Sequence, residues 1–184
     1  MAGNLVKINE VEVSSTVSTM SLTGMNSDYD IYKVIATNID FSANTLLTIQ
    51  VIPTGGSVDS GSYYYPAVRT MRSDTTDSYK QDIAQQKYNC LSNVISDCNL
   101  EMNIHNSQNG SEYTAFDYSD VFYSSLGSNV TAGNFGAFIY AQNNTIEGIL
   151  FSSSQSTPEI VSGKFSLYGI KQWLIIIWYI WGRW

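Results

Sequence analysis

Cysteine, histidine and charge are all scarce in this 184-residue chain, and each shortage closes off a class of explanation. Two cysteines, Cys90 and Cys98, are too few for the disulfide framework that staples small secreted domains. They read as partly buried thiols in a reducing compartment, although their spacing would let them meet across a hairpin. With one histidine there is no zinc-spaced Cys/His set, and the sequence has no HExxH motif and no EF-hand loop. Charged residues make up 14% of the chain, well short of the usual quarter. Nine Lys and Arg against sixteen Asp and Glu leave a net charge of −7 and no basic stripe, which argues against nucleic acid as a partner. Thirteen tyrosines without basic neighbours do not make a single-strand stacking platform either. No apolar run reaches the ~18 residues of a membrane-spanning helix. The opening Met1–Lys7 has neither the basic start nor the apolar run of a secretory leader, so the expected compartment is a cytoplasm.

What the chain does have is 43% hydrophobic and 13% aromatic residues, enough for one substantial core. Its dominant pattern is short period-two alternation broken by Gly, Asn, Asp and Ser. Strands are predicted over Lys7–Val13, Val17–Thr23, Tyr29–Thr37 and Thr45–Ile52, the third mostly apolar and expected to be buried on both faces. Asn38–Asn44, between the last two, has hairpin length. Ala67–Met71 continues extended after Pro66, and Arg72–Gln86 reads as a long polar loop. Asn89–Leu91 and Asn99–Ile104 are expected to form a hairpin around Ser96-Asp97, and Asn109-Gly110 carries the signature of a type I′ turn. Glu112–Tyr123 follows as an aromatic-rich strand. Phe135–Ala141 and Thr145–Phe151, joined through Asn143-Asn144, read as the clearest hairpin, and Phe165–Tyr168 as the last strand. About ten short strands without a long helix point to an all-β fold, an antiparallel β-sandwich or jelly roll, in a single domain over residues 1–171.

Candidate chemistry is thin. His105, a lone polar residue at a strand end, reads as solvated rather than catalytic. Asp28 with Asp30, and Asp117 with Asp120, could enter an oxygen-rich cation loop, but such carboxylates are commonly turn residues bonding their own backbone. No catalytic residue, metal ligand or cofactor is therefore assigned, and an enzyme is not expected. The aromatics Tyr63, Tyr64, Tyr65, Tyr113, Phe116 and Tyr118 could offer sugars an apolar face with a polar rim, and Tyr63–Tyr65 are the possible glycan contacts. The same enrichment follows from strand propensity alone, so core packing is the stronger expectation. Asn109, Asn129 and Asn143 head glycosylation triplets, which the cytoplasmic expectation discounts.

All four tryptophans fall in residues 173–184. The run Trp173, Leu174, Ile175, Ile176, Ile177, Trp178, Tyr179, Ile180, Trp181 is uncharged and bracketed by Lys171 and Arg183. Nine such residues span roughly 30 Å as a strand and roughly 13 Å as a helix, too short to cross a bilayer in helical form. Left in water the run is an aggregation segment. A strand of its own sheet with one wet face should alternate with polar residues, and this one does not. A neighbouring subunit is therefore favoured over the chain's own sandwich and over a membrane surface, with a tail without function as the remaining alternative. Residues 172–184 are read as an apolar tail, with Trp173–Trp181 as a subunit interface.

Three segments together carry a resemblance: Leu22-Thr23-Gly24-Met25 with Tyr29-Asp30-Ile31-Tyr32-Lys33-Val34; Gly148–Ser153; and Ser162–Lys171, which contains Phe165-Ser166-Leu167-Tyr168-Gly169-Ile170-Lys171. In order and spacing the chain resembles small β-sandwich virion structural proteins of tailed bacteriophages, of the type found in aquatic phages, over residues 5–171. The resemblance implies a sandwich displayed on head or tail in a virion assembled in the host cytoplasm. It further implies contacts with other virion proteins, a homo-oligomer such as a trimer, and no catalytic residues. A host-surface glycan is the alternative partner. The tail beyond Lys171 departs from that pattern.

Overall fold

The computed structural model describes residues 4–74, 78–81, 84–124, 130–154, 157 and 159–171, with the side chains of 91–95 and 124 excepted. The tail from Gln172 to Trp184, and with it the expected interface Trp173–Trp181, lies outside the described residues. Among the described residues eleven strands follow in order: β1 (Asn4–Val13), β2 (Thr19–Thr23), β3 (Ile31–Phe41), β4 (Thr45–Pro53), β5 (Tyr64–Arg72), β6 (Ser78–Gln81), β7 (Tyr88–His105), β8 (Thr114–Ser124), β9 (Val130–Tyr140), β10 (Ile146–Ser153) and β11 (Ile160–Lys171). The chain is all-β and folds as an antiparallel β-sandwich. A large sheet runs β1-β11-β3-β7-β8-β9-β5-β6, and a smaller one, β2-β10-β4, lies against it and joins it through the first half of β7. No helix among the described residues is long and apolar enough to cross a membrane.

Alternation places the core. In β3 the burial pattern alternates, with Tyr32, Val34 and Ala36 wholly buried and Ile31, Lys33 and Ile35 half-exposed. The expectation of burial on both faces is thus corrected: one side of this strand is only half covered. From the smaller sheet, Leu22, Leu47, Ile49, Val51, Ile149 and Phe151 face inward and are also fully buried. Phe151 meets Phe165 of the large sheet with ring centroids 5.3 Å apart. Phe138 stacks between Phe116 and Tyr88, at 4.2 Å from each, and forms the centre of the aromatic core. Gly136 admits the Tyr118 ring beside this stack, since a Cβ there would stand 2.5 Å from it.

Three expected hairpins are not hairpins. β3 and β4 are consecutive but unpaired: β3 lies between β11 and β7 while β4 lies between β10 and β7, so residues 42–44 carry the chain from one sheet to the other. β9 and β10 are likewise unpaired, and residues 141–145 make a second crossing. The turn expected at Ser96-Asp97 is a bulge inside the single long strand β7. Asp97 takes a positive φ of 57° and Asn38, on neighbouring β3, one of 53°. Short polar side chains tolerate this region, and the surrounding hydrogen bonds hold it: Asp97 N–H donates to Asp40 and Asn38 N–H to Asn99, at 2.9 and 3.2 Å. The bulge bends β7 so that its first half pairs with β4 and its second half with β3 and β8. Cys90 and Cys98 therefore share one strand, both buried and unbridged. The β7–β8 connection also differs from the I′ expectation, because the positive φ falls on Asn106 (60°) rather than on Gly110. Asn109 Oδ1 instead accepts the Ser111 N–H, an Asx turn. Finally, four residues of the expected loop 72–86 form the edge strand β6.

The three segments that carry the resemblance are brought together. Tyr29–Val34 leads into β3, which pairs directly with β11, Gly169 opposite Tyr32 and Leu167 opposite Val34. Gly169 leaves room for the Tyr29 ring, which a Cβ would meet at 2.4 Å. β10 packs over them from the smaller sheet through Phe151.

Candidate interaction face

The outer side of the large sheet is one continuous surface, and its rows can be followed across the strands by register. One row runs Ile170, Ile31, His105, Ala115, Ile139, Tyr65, and another brings Ser119, Phe135 and Arg69 level with Glu101 and Tyr79. Along these rows the surface changes character.

Over β1, β11, β3 and β7 charged and polar pairs predominate, with Leu5 exposed and Ile170, Ile31 and Ile35 half-exposed among them. Glu10 takes Lys7 at 2.6 Å and Lys164 at 3.0 Å and accepts the Ser166 hydroxyl at 3.0 Å. Lys7 first, then Lys164 and Ser166, hold its carboxyl down at about 2. Lys33 pairs with Glu101 across the strands. At the border of β8, Asp117 lies 2.6 Å from His105 Nε2 and accepts the Asn103 amide at 2.9 Å. His105 is thus tied to a carboxylate rather than merely solvated, but the pair is open to solvent. Asp28, Asp30, Asp117 and Asp120 do not converge, and among the described residues no group of three His, Cys, Asp or Glu stands close enough to hold a metal ion.

Over β8, β9, β5 and β6 the surface is apolar. Val121, Tyr123, Phe135, Ile139, Tyr65 and Tyr79 project here, six of the ten large apolar side chains exposed among the described residues, so the exposure is concentrated rather than scattered. Phe135 is 56% exposed on β9, an interior strand of the sheet, where a pleated strand with one wet face ordinarily carries a polar residue. Shallow grooves flank it: one of about 420 Å³ between Ala67, Arg69, Tyr79, Gln81 and Phe135; one of about 410 Å³ against Met71, Val121 and Gly133; and one of about 310 Å³ toward Ile35, Glu101 and Ser119. Arg69 sits 5.7 Å from the Tyr79 ring centre. The patch is four strands wide, roughly 14 Å, and roughly 20 Å long from Tyr65 to Met71.

Beneath it, Asp120 and Asn134 face each other on the inner side of β8 and β9. Asn134 donates its backbone N–H to Asp120 at 2.9 Å and its side-chain amide at 2.9 and 3.0 Å, while its carbonyl oxygen accepts the Thr70 hydroxyl at 2.6 Å. Burial pushes the Asp120 carboxyl up to about 7 against the opposing pull of these bonds. The same burial raises the Cys98 thiol well above its ordinary value, leaving it an inert core residue.

The expected sugar contacts do not form a common surface. Tyr64 is fully buried, its hydroxyl accepting the Val51 N–H at 2.7 Å, and cannot reach a glycan. Tyr63 packs on the Tyr140 ring at the margin of the core, so only Tyr65 lies on the open face. Phe116 and Tyr118 are core residues too, as strand propensity predicts, whereas Tyr113 is exposed in the β7–β8 loop. Phe135, at the centre of the apolar patch, was visible in sequence only as a strand residue. The available signal was parity: β9 places Ala132, Asn134, Phe138 and Tyr140 inward, so Phe135 and Ile139 fall on the opposite face.

No protein-family model matches the sequence, and no curated protein does. Among solved structures, arcelin-5, a lectin-like defence protein from Phaseolus vulgaris, is similar over 92% of this chain and 91% of its own, with 9% identity and a TM-score of 0.32. At that identity and score, nothing about arcelin-5 carries over to this chain.

Proposed function

We propose that this chain is a structural protein of a bacteriophage virion, a head decoration or a tail- or fibre-associated component, acting by packing against other subunits rather than by chemistry. The observation that carries the reading is the concentration of exposed apolar side chains around Phe135 on one half of the outer sheet face. A surface of that kind gains free energy when another chain covers it, on the order of 25 cal/mol for each Å² of apolar area removed from water. The segment resemblance supports a virion setting, and the uncharged run Trp173–Trp181 supplies a second apolar element for subunit contact. Deleting Gln172–Trp184 and measuring mass in solution and incorporation into particles tests it: both should fall, and retention of both would overturn it.

A second reading is a host-surface glycan module. The observation favouring it is the groove between Arg69, Tyr79 and Phe135, with Tyr65 on the same face, where a sugar ring would find an apolar wall and a guanidinium rim. Glycan-array binding lost in Tyr65→Ala and Tyr79→Ala proteins would establish it, whereas an array without any bound sugar would remove it.

A further inference from the structure

We propose that the apolar half of the outer face, from Val121 through Phe135 to Tyr79, is the seat of the segment Trp173–Trp181 of a second copy of this chain. The proposal rests on the assembly reading above and names its contact surface. Both elements are mainly apolar: the run carries no charge, and among the described residues the grooves beside Phe135 bring Arg69, Lys80, Arg72 and Glu101 to the margins of the patch, with Asp120 buried beneath it. A nine-residue extended segment spans roughly 30 Å, enough to cross a patch whose diagonal is roughly 25 Å.

The occupant is a second copy because of where β11 ends. Ile170 is level with Ile31, His105, Ala115 and Ile139, at one end of the sheet, and β11 runs parallel to β9. At Lys171 β11 is therefore directed out of this end of the sheet. Phe135 lies behind that level by four residues, roughly 13 Å, and four strands to the side, roughly 19 Å. To reach it the same chain must reverse at once, yet residues 172–181 contain no Gly, Pro, Asn or Asp to make the turn. It must also cross the charged half, laying Trp173 and its neighbours over Lys33, Glu101 and Asp117. A neighbouring copy meets neither obstacle.

The tryptophans make the test direct. All four belong to residues 173–184, so tryptophan emission of the full chain reports that segment alone. Emission and sedimentation mass are followed together over a dilution series for the full chain and for Phe135→Asp and Val121→Asp, and sedimentation mass alone for the chain lacking 172–184, with circular dichroism as the check on folding. The expected result is short-wavelength emission at high concentration that moves to the wavelength of the urea-unfolded chain as the oligomer dissociates. Both Asp variants, folded, should emit at the long wavelength at every concentration. Short-wavelength emission from material that sediments as a monomer, even if lost in Phe135→Asp, would place the segment on its own chain and overturn the proposal. So would emission that shortens only when phosphatidylcholine vesicles are added. If the Asp variants remain oligomeric with unchanged emission while the deletion is monomeric, the seat is wrong and the assembly reading stands. If the full chain is monomeric throughout, both fail.

Discussion

Phe138 and Phe135 lie on the same strand, three residues apart, and have opposite situations. Phe138 is sealed between Phe116 and Tyr88 in the core, whereas Phe135 stands more than half exposed on the other side of the sheet. A pleated strand sends alternate side chains to opposite faces, so the two aromatics serve different ends by parity alone. The inner one contributes to the fold. The outer one contributes nothing the fold requires, and its surroundings of Val121, Ile139 and Tyr79 make it part of a surface suited to another chain. The charged half of the same outer face, with Glu10 between Lys7 and Lys164 and Lys33 against Glu101, is what an ordinary solvated sheet looks like.

Substitutions can separate these roles. The largest effect is expected from Phe138→Ala, which opens a cavity between two stacked rings and should cost about 3–5 kcal/mol in urea unfolding. A loss under about 1 kcal/mol would mean that the stack does not anchor the core.

The buried carboxylate beneath the patch comes next. Folding raises the Asp120 carboxyl to about 7, so between its ordinary range near 3.8 and that value the unfolded chain sheds a proton that the folded chain keeps. Stability should therefore fall as pH rises from about 4 to about 7 and level off above, by up to ~4 kcal/mol from this group. Asp120→Asn should flatten that slope, and an unchanged slope in urea midpoints across the range would remove Asp120 as its source.

Phe135→Ala should leave the unfolding stability of the dissociated chain within about 0.5 kcal/mol, because a side chain exposed there has little packing to lose. A loss of core size there would make Phe135 part of the fold and dissolve the comparison. The smallest effect is expected on the charged half. Glu101→Ala removes the partner of Lys33 at an exposed site and should change stability by less than about 1 kcal/mol, less still in high salt, with no change in solution mass.

Much of this architecture was legible in the sequence, because alternation and turn residues act locally. Strand positions and the all-β class follow from short segments such as Thr45–Ile52 and Phe165–Tyr168, which lie within β4 and β11. Pairing did not follow, because in a sandwich a short connection can cross between sheets as readily as it can fold a hairpin. Residues 141–145 look like a hairpin turn and instead separate β9 from β10. Ser96-Asp97 looks like a turn because Asp tolerates a positive φ, and here that φ serves a bulge within β7. The candidate face was less legible still. A Tyr-rich stretch such as Tyr63–Tyr65 is conspicuous in sequence, yet alternation sends Tyr64 into the core, while the isolated Phe135 reaches the surface. Which parity faces water depends on the partner sheet, and that is a property of the fold rather than of the strand.

The claim that one half of the outer face is built for subunit contact is tested most directly by sedimentation equilibrium of the full chain beside Phe135→Asp and Glu101→Ala. The full chain and Glu101→Ala should be oligomers, and Phe135→Asp a folded monomer. An oligomer that survives Phe135→Asp, or one lost equally in Glu101→Ala, would contradict it.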